Sequence, residues 1–263
     1  MITRQFITIP AGTLHCAMAG SGRPVLLLHQ TPRSWDEYRD VLPLLGRHYR
    51  AIAMDTPGFG DSSKLPLGSD SIEHWARVAI SLLDALKIER AAVVGHHTGA
   101  VTATELAAVF PDRIDAAVLS AAPLGDAAFR AACAGPPPVD NATPRFDGGH
   151  LLELWAQRAP FYPKGNIDLL ARYIVDALKA GPRAVEGHRV VGRYVMETQL
   201  PKIRCPVLIV APTADPFAFP HARPLAARIA GSKVVEIPGG MVPLPDQMPE
   251  EFARVDVDFL NDV

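Results

Sequence analysis

The chain is short of cysteine: Cys16, Cys133 and Cys205 are three in 263 residues, widely spaced and without a C-x-x-C pair. That excludes a disulfide framework and a cysteine-based zinc knuckle, and leaves three buried thiols as the expectation. Long apolar runs are missing too. No stretch of about 18 apolar residues occurs, and Met1-Ile2-Thr3-Arg4-Gln5-Phe6-Ile7 has no apolar core behind a basic start, so a soluble, cytoplasmic protein is expected. Nor is there an excess of charge. With 26 basic and 28 acidic residues, net −2, the chain has no electrostatic footprint for nucleic acid or an anionic membrane. A small-molecule partner is the expectation. Oligomeric state is left open by the sequence, and no cofactor motif is found.

What is present is 48% hydrophobic residues in short runs, enough to bury one full core. Eight runs read as strands: 6–9, 14–18, 25–29, 50–54, 91–94, 116–120, 207–211 and 234–237. Pro24-Val25-Leu26-Leu27-Leu28 shows no polar alternation, which predicts a strand covered on both faces. Between Asp70 and Lys87, Ile72, Trp75, Val78, Ala79, Leu82, Leu83 and Leu86 recur at three- and four-residue spacing. This predicts an amphipathic helix capped by Asp70 or Ser71. The strand–helix alternation stops from about Pro123 to Lys202. There the loop Gly135-Pro136-Pro137-Pro138 precedes helical patterns at 151–158, 167–179 and 184–197. The expected organisation is a core in two parts, 1–122 and 203–263, with a helical cap at 123–202.

One turn stands out. Gly95-His96-His97-Thr98-Gly99 follows the apolar run Ala91 to Val94 and precedes the helix-like stretch Ala100 to Ala107. It has the spacing of G-x-S-x-G, the nucleophile elbow, where glycines flank a sharp strand-to-helix turn, but histidine occupies the serine position. Two more segments accompany it: Leu28-His29-Gln30-Thr31-Pro32-Arg33-Ser34-Trp35, similar to an oxyanion loop His-Gly-x-Pro with Gln30 in place of glycine, and Asp55-Thr56-Pro57-Gly58-Phe59-Gly60-Asp61-Ser62, similar to D-x-x-G-x-G-x-S. On these motifs the whole chain resembles the α/β-hydrolase superfamily, in its capped group of esterases, epoxide hydrolases, dehalogenases and carbon–carbon bond hydrolases. The resemblance implies an α/β fold with an eight-stranded, mostly parallel sheet, helices on both faces and an inserted helical cap.

The resemblance also implies a triad, and here it departs from the pattern. Asp215, in Val207-Leu208-Ile209-Val210-Ala211-Pro212-Thr213-Ala214-Asp215, fits the acid position. In Ile237-Pro238-Gly239-Gly240-Met241-Val242-Pro243-Leu244, Met241 stands where the histidine is expected. The serine mechanism therefore lacks its nucleophile and its base. The reading that follows is cofactor-independent hydrolysis of a small, ester-like carbonyl compound, with His97 as base oriented by Asp215 and with the backbone N–H groups of Gln30 and Thr98 as the oxyanion hole.

Alternatives stay open. They are a lyase or decarboxylase using the same pocket, and a catalytically silent ligand binder in which His97 is filler. A metal site of His29, His97 and Asp215 is a further one, without short ligand spacing behind it. An acyl-imidazole on His97 is disfavoured because no second base is evident. The expected pocket includes His29, Met241, Trp155 and Phe217. His150, Phe161, Tyr162, His188, Tyr194, Phe219 and His221 are further residues that could reach it, and His96 is expected to face the sheet.

Overall fold

A computed structural model describes residues 1–64, 66, 68–137 and 139–263. Pro138, the last of the proline triplet, lies outside the described residues. The strands are β1 (Thr3–Ile9), β2 (Gly12–Ala19), β3 (Pro24–Leu28), β4 (Arg50–Met54), β5 (Ala91–His96), β6 (Ile114–Ser120), β7 (Val207–Pro212) and β8 (Lys233–Ile237). They form one sheet in the order β1-β2-β4-β3-β5-β6-β7-β8. β2 runs antiparallel to both its neighbours, and every pairing from β4 through β8 is parallel. All eight expected runs are strands.

The helices are α1 (Leu42–Leu45), α2 (Ile72–Ala85), α3 (Thr98–Val109), α4 (Ala127–Ala132), α5 (Gly149–Arg158), α6 (Ile167–Ala180), α7 (Arg183–Arg193), α8 (Ala222–Ala226), α9 (Leu244–Gln247) and α10 (Pro249–Asn261). The unbroken apolar run of β3 is divided between two cores. Leu26 and Leu28 join Trp75, Leu82 and Leu106 of α2 and α3 on one face, while Val25 and Leu27 join Leu42 of α1 and Phe252 and Phe259 of α10 on the other. Successive strand side chains point to opposite faces, so a strand with helices on both sides must be apolar at every position.

Ser71 caps α2 by accepting from the His74 N–H at 3.1 Å, and Asp70 accepts instead from the Trp75 indole N–H at 3.3 Å. Between β6 and β7 come α4 to α7, a helical insertion with its own small core around Leu154, Leu169, Leu170 and Tyr173. The sequence pattern gave no sign of α4. The last insertion helix, α7, stops at Arg193 instead of 197, because Tyr194 turns inward and its hydroxyl donates to Glu105 Oε2 of α3 at 2.6 Å. Among the described residues, no helix is long and apolar enough to cross a membrane.

Candidate active site

The elbow forms where β5 passes directly into α3. A Cβ added at Gly95 would lie 2.2 Å from the Gly99 carbonyl oxygen, and one at Gly99 would lie 1.9 Å from that of Leu28. Only glycine fits at either position. Between them His97 takes φ 48° and ψ −112°, a conformation costly for any residue with a Cβ. It is held by main-chain bonds: its N–H donates to the Ser120 carbonyl at 2.9 Å, and its own carbonyl accepts from Ala100 at 2.9 Å.

The His97 ring lines a cavity of about 440 Å³ between the strand ends and the insertion. Its Nε2 stands 2.7 Å from Asp215 Oδ2, an ion-pair distance without the alignment of a full hydrogen bond. Asp215 follows β7, and its side chain is fully buried. Its Oδ1 accepts from the N–H groups of Phe217 at 2.9 Å and Ala218 at 3.1 Å. Burial pushes this carboxyl up, but the neighbouring His97 and the amide donors outweigh it and hold the group below the ordinary aspartate value. Because a carboxylate only accepts, His97 must present N–H at Nε2, which leaves Nδ1 with its lone pair.

His96 points the other way, as expected. Its Nε2 donates to the Val242 carbonyl at 2.8 Å, and Nδ1 accepts from the Ser120 hydroxyl at 2.9 Å. Burial, reinforced by His97 at 4.8 Å between ring centres, pushes it down to about 3, so it is a neutral strut. His29 is likewise spent on main chain. Nδ1 donates to the Gln30 carbonyl at 2.7 Å and Nε2 accepts from Thr56 N–H at 2.9 Å. It does not line the cavity, which corrects its place among the expected pocket residues, and it has no nitrogen left for a metal shared with His97 and Asp215, which weighs against that alternative.

The oxyanion loop also departs from expectation. The Gln30 N–H donates to Glu37 Oε2 at 2.8 Å and its side-chain amide to Oε1 at 2.6 Å. Gln30 borders the cavity, but its backbone donor is consumed. Burial drives the Glu37 carboxyl up to about 8, against the opposing pull of Arg33 and the Gln30 donors. The next residue, Thr31, takes the place assigned to Gln30. It lines the cavity, its N–H has no acceptor among the described residues, and its hydroxyl meets that of Thr98 at 2.9 Å. The Thr98 N–H is the first of α3 and has no partner within the helix. Thr31 and Thr98 thus both line the cavity with main-chain N–H groups that have no acceptor among the described residues, and the x of His-Gly-x-Pro was the sequence signal for Thr31.

Of the other expected pocket residues, Phe217, His188 and His221 line the cavity. Trp155 packs against the insertion core, and Met241 is not part of the cavity lining; its N–H donates to the Gln247 side chain at 2.7 Å. Val242, one residue further on, is the part of that turn that reaches the cavity. Either residue leaves the turn without an imidazole. Cys16 is buried and Cys205 partly so, but Cys133 is exposed at the cavity edge, which corrects the expectation of three buried thiols. Among the described residues, one group has three donors in metal-binding proximity, His15, Asp55 and Asp61. Arg4 and Lys179 contact it, with Arg4 Nε donating to His15 Nε2 at 3.0 Å and Lys179 donating to Asp61, so cations of the chain already answer its charge.

The elbow, Thr31, Thr98 and the buried acid after β7 lie together at the ends of the strands. The pattern of the alpha/beta hydrolase fold family matches residues 23–137. The chain has the α/β-hydrolase fold, and the match to that family spans somewhat under half of it. It is 38% identical over 98 residues to a soluble epoxide hydrolase of a Corynebacterium species, covering 37% of this chain and 34% of that protein. It is 26% identical over 292 residues to a fluoroacetate dehalogenase of a Burkholderia species, covering 98% of this chain and 94% of the relative. The curated relatives matched at more than 30% identity are aligned over only a fifth to two-fifths of their own length. Among solved structures, a hydrolase from Pseudomonas aeruginosa superposes with a TM-score of 0.81 at 23% identity, over 98% of both chains. The enol-lactonase of Burkholderia xenovorans superposes with 0.80 at 22%, over 98% of this chain and 100% of the other.

Proposed function

We propose that this protein hydrolyses a small, ester-like carbonyl compound without a cofactor, His97 acting as base and Asp215 orienting it, with the helical insertion as the cap that shapes the substrate pocket. The observation that carries the reading is the 2.7 Å approach of His97 Nε2 to a buried Asp215 at the elbow tip. It leaves Nδ1 as the ring nitrogen able to take a proton from water. Thr31 and Thr98 offer N–H groups to the same cavity, and each such donor contributes about 3 kcal/mol to a transition state that develops an oxyanion. The positive end of α3 adds to both. Hydrolysis is preferred to lyase chemistry because most of the relatives' names describe hydrolases, and because a lone base beside an oxyanion hole is sufficient to deliver water.

Turnover of p-nitrophenyl acetate by metal-stripped protein, beside His97→Ala and with circular dichroism to confirm folding, tests it. The expected result is activity above background that falls by roughly 10³-fold in the variant. Wild type and variant at the same background rate would overturn hydrolysis and leave the lyase or ligand-binding readings.

A further inference from the structure

A second histidine–carboxylate pair faces the same cavity from the insertion, and the chemistry assigned to His97 does not use it. His188 lies in α7 and lines the cavity, with about a third of its side chain exposed. Its Nε2 stands 2.8 Å from Asp140 Oδ2. The Asp140 side chain is fully buried and gathers further donors: Arg158 Nε at 2.9 Å and the Tyr173 hydroxyl on Oδ1, and Arg158 Nη2 on Oδ2. Arg158 alone would neutralise this carboxylate and occupy both oxygens. The fold has no electrostatic need of His188 there. With Nε2 on Asp140, the Nδ1 of His188 has no partner among the described residues.

Packing puts this ring beside the reaction centre. A Cβ added at Gly187 would lie 2.0 Å from Thr31 Oγ1, so α7 rests directly on the loop that carries one oxyanion donor. The next residue, His188, enters the cavity alongside it. Among the described residues, no Asp or Glu is in the cavity lining. Its arginines, Arg158 and Arg189, do not release protons. His221 is edge-on to Phe129 at 5.8 Å, and burial lowers its proton affinity. His188 is the remaining imidazole on the insertion side.

We infer that His188, positioned by Asp140, is a second catalytic residue of this cavity and protonates the leaving oxygen of the substrate. This rests on the reading of His97 as the base. Water attacks the carbonyl carbon and loses its proton to His97 Nδ1. As the carbon–oxygen bond to the leaving group breaks, the electron pair stays on that oxygen, which takes the proton from Nδ1 of the His188 imidazolium. The turnover ends with His97 protonated and His188 neutral, and exchange with solvent through the cavity mouth resets both. An acid of this kind allows alcohols, whose alkoxides are poor leaving groups, to be released. Alkyl esters therefore fall within the substrate class.

The test compares two leaving groups. p-Nitrophenolate departs without a proton and ethoxide does not. In His188→Gln, hydrolysis of ethyl acetate should fall roughly 30-fold further than that of p-nitrophenyl acetate; in His97→Ala both should be lost. Equal loss of both esters in His188→Gln overturns proton donation and leaves the His97 reading intact. A second measurement needs neither turnover nor a variant. Ring nitrogens of the wild-type histidines are followed by NMR while hydrated trifluoroacetophenone, a mimic of the tetrahedral species, is added. Shifts at both His97 and His188 support the inference, a shift at His97 alone overturns it, and a shift at neither overturns the His97 reading as well.

Discussion

Asp215 and Asp140 are both buried, both close to a histidine Nε2, and both beside one cavity, yet they are fixed by different means. Asp215 is held by its own loop, through the N–H groups of residues two and three positions further on, and no cation among the described residues answers it except His97. Asp140 is held by side chains from three helices: Arg158 of α5, Tyr173 of α6 and His188 of α7. The first arrangement is local and leaves a charge for chemistry. The second ties the insertion together, and its charge is already spent on Arg158. Removing one should abolish the proposed chemistry without unfolding the protein, and removing the other's partner should unfold the insertion.

The sharpest break of that comparison is His97→Ala, expected to lower ester turnover by about 10³-fold or more with little change in melting temperature. Next comes Arg158→Met, which strands the Asp140 carboxylate in the insertion core; a loss of about 3–5 kcal/mol in urea unfolding is expected. Asp215→Asn should cost roughly 10²-fold in kcat with a far smaller stability change, because both amide donors keep an acceptor oxygen. Gly187→Ala drives a methyl into Thr31, so kcat should fall by about ten-fold with KM less affected, as the N–H of Thr31 shifts.

The smallest effect concerns pH. Burial raises Glu37 to about 8, and Asp176 and Asp246 to about 6, so the folded protein retains protons that the unfolded chain has released above pH of about 4. Stability from these groups is therefore full at acid pH and declines as pH rises through the raised values. Glu37→Gln should flatten part of that decline when melting temperatures are compared between roughly pH 5 and pH 9.

The same local-versus-distributed contrast explains what could be read from the sequence. The eight strands were legible because each is a short apolar run bounded by turns, and the elbow because Gly95 is required by its contact with Gly99, four residues on, so that the spacing itself is a local pattern. Asp215 was legible for the same reason, as its ligands lie in its own loop. The Gln30 assignment failed because Glu37, seven residues on, captures its N–H, a contact that no spacing rule announces. Met241 and Val242 are adjacent in one turn, and spacing alone does not say that Val242 is the one lining the cavity. Asp140 has no local signal: it is a single acid after a proline-rich loop, and its donors come from residues 158, 173 and 188.

The main-chain bonds that hold His97 at its unusual dihedral angles do not involve its side chain, which also caps nothing in α3. Position 97 therefore works as a socket: the backbone presents whatever side chain is plugged into it. Non-natural imidazoles methylated at one nitrogen or the other could be introduced there by expanded genetic coding, so that a synthetic choice of side chain, and not a redesign of the scaffold, would set the reactivity of the site.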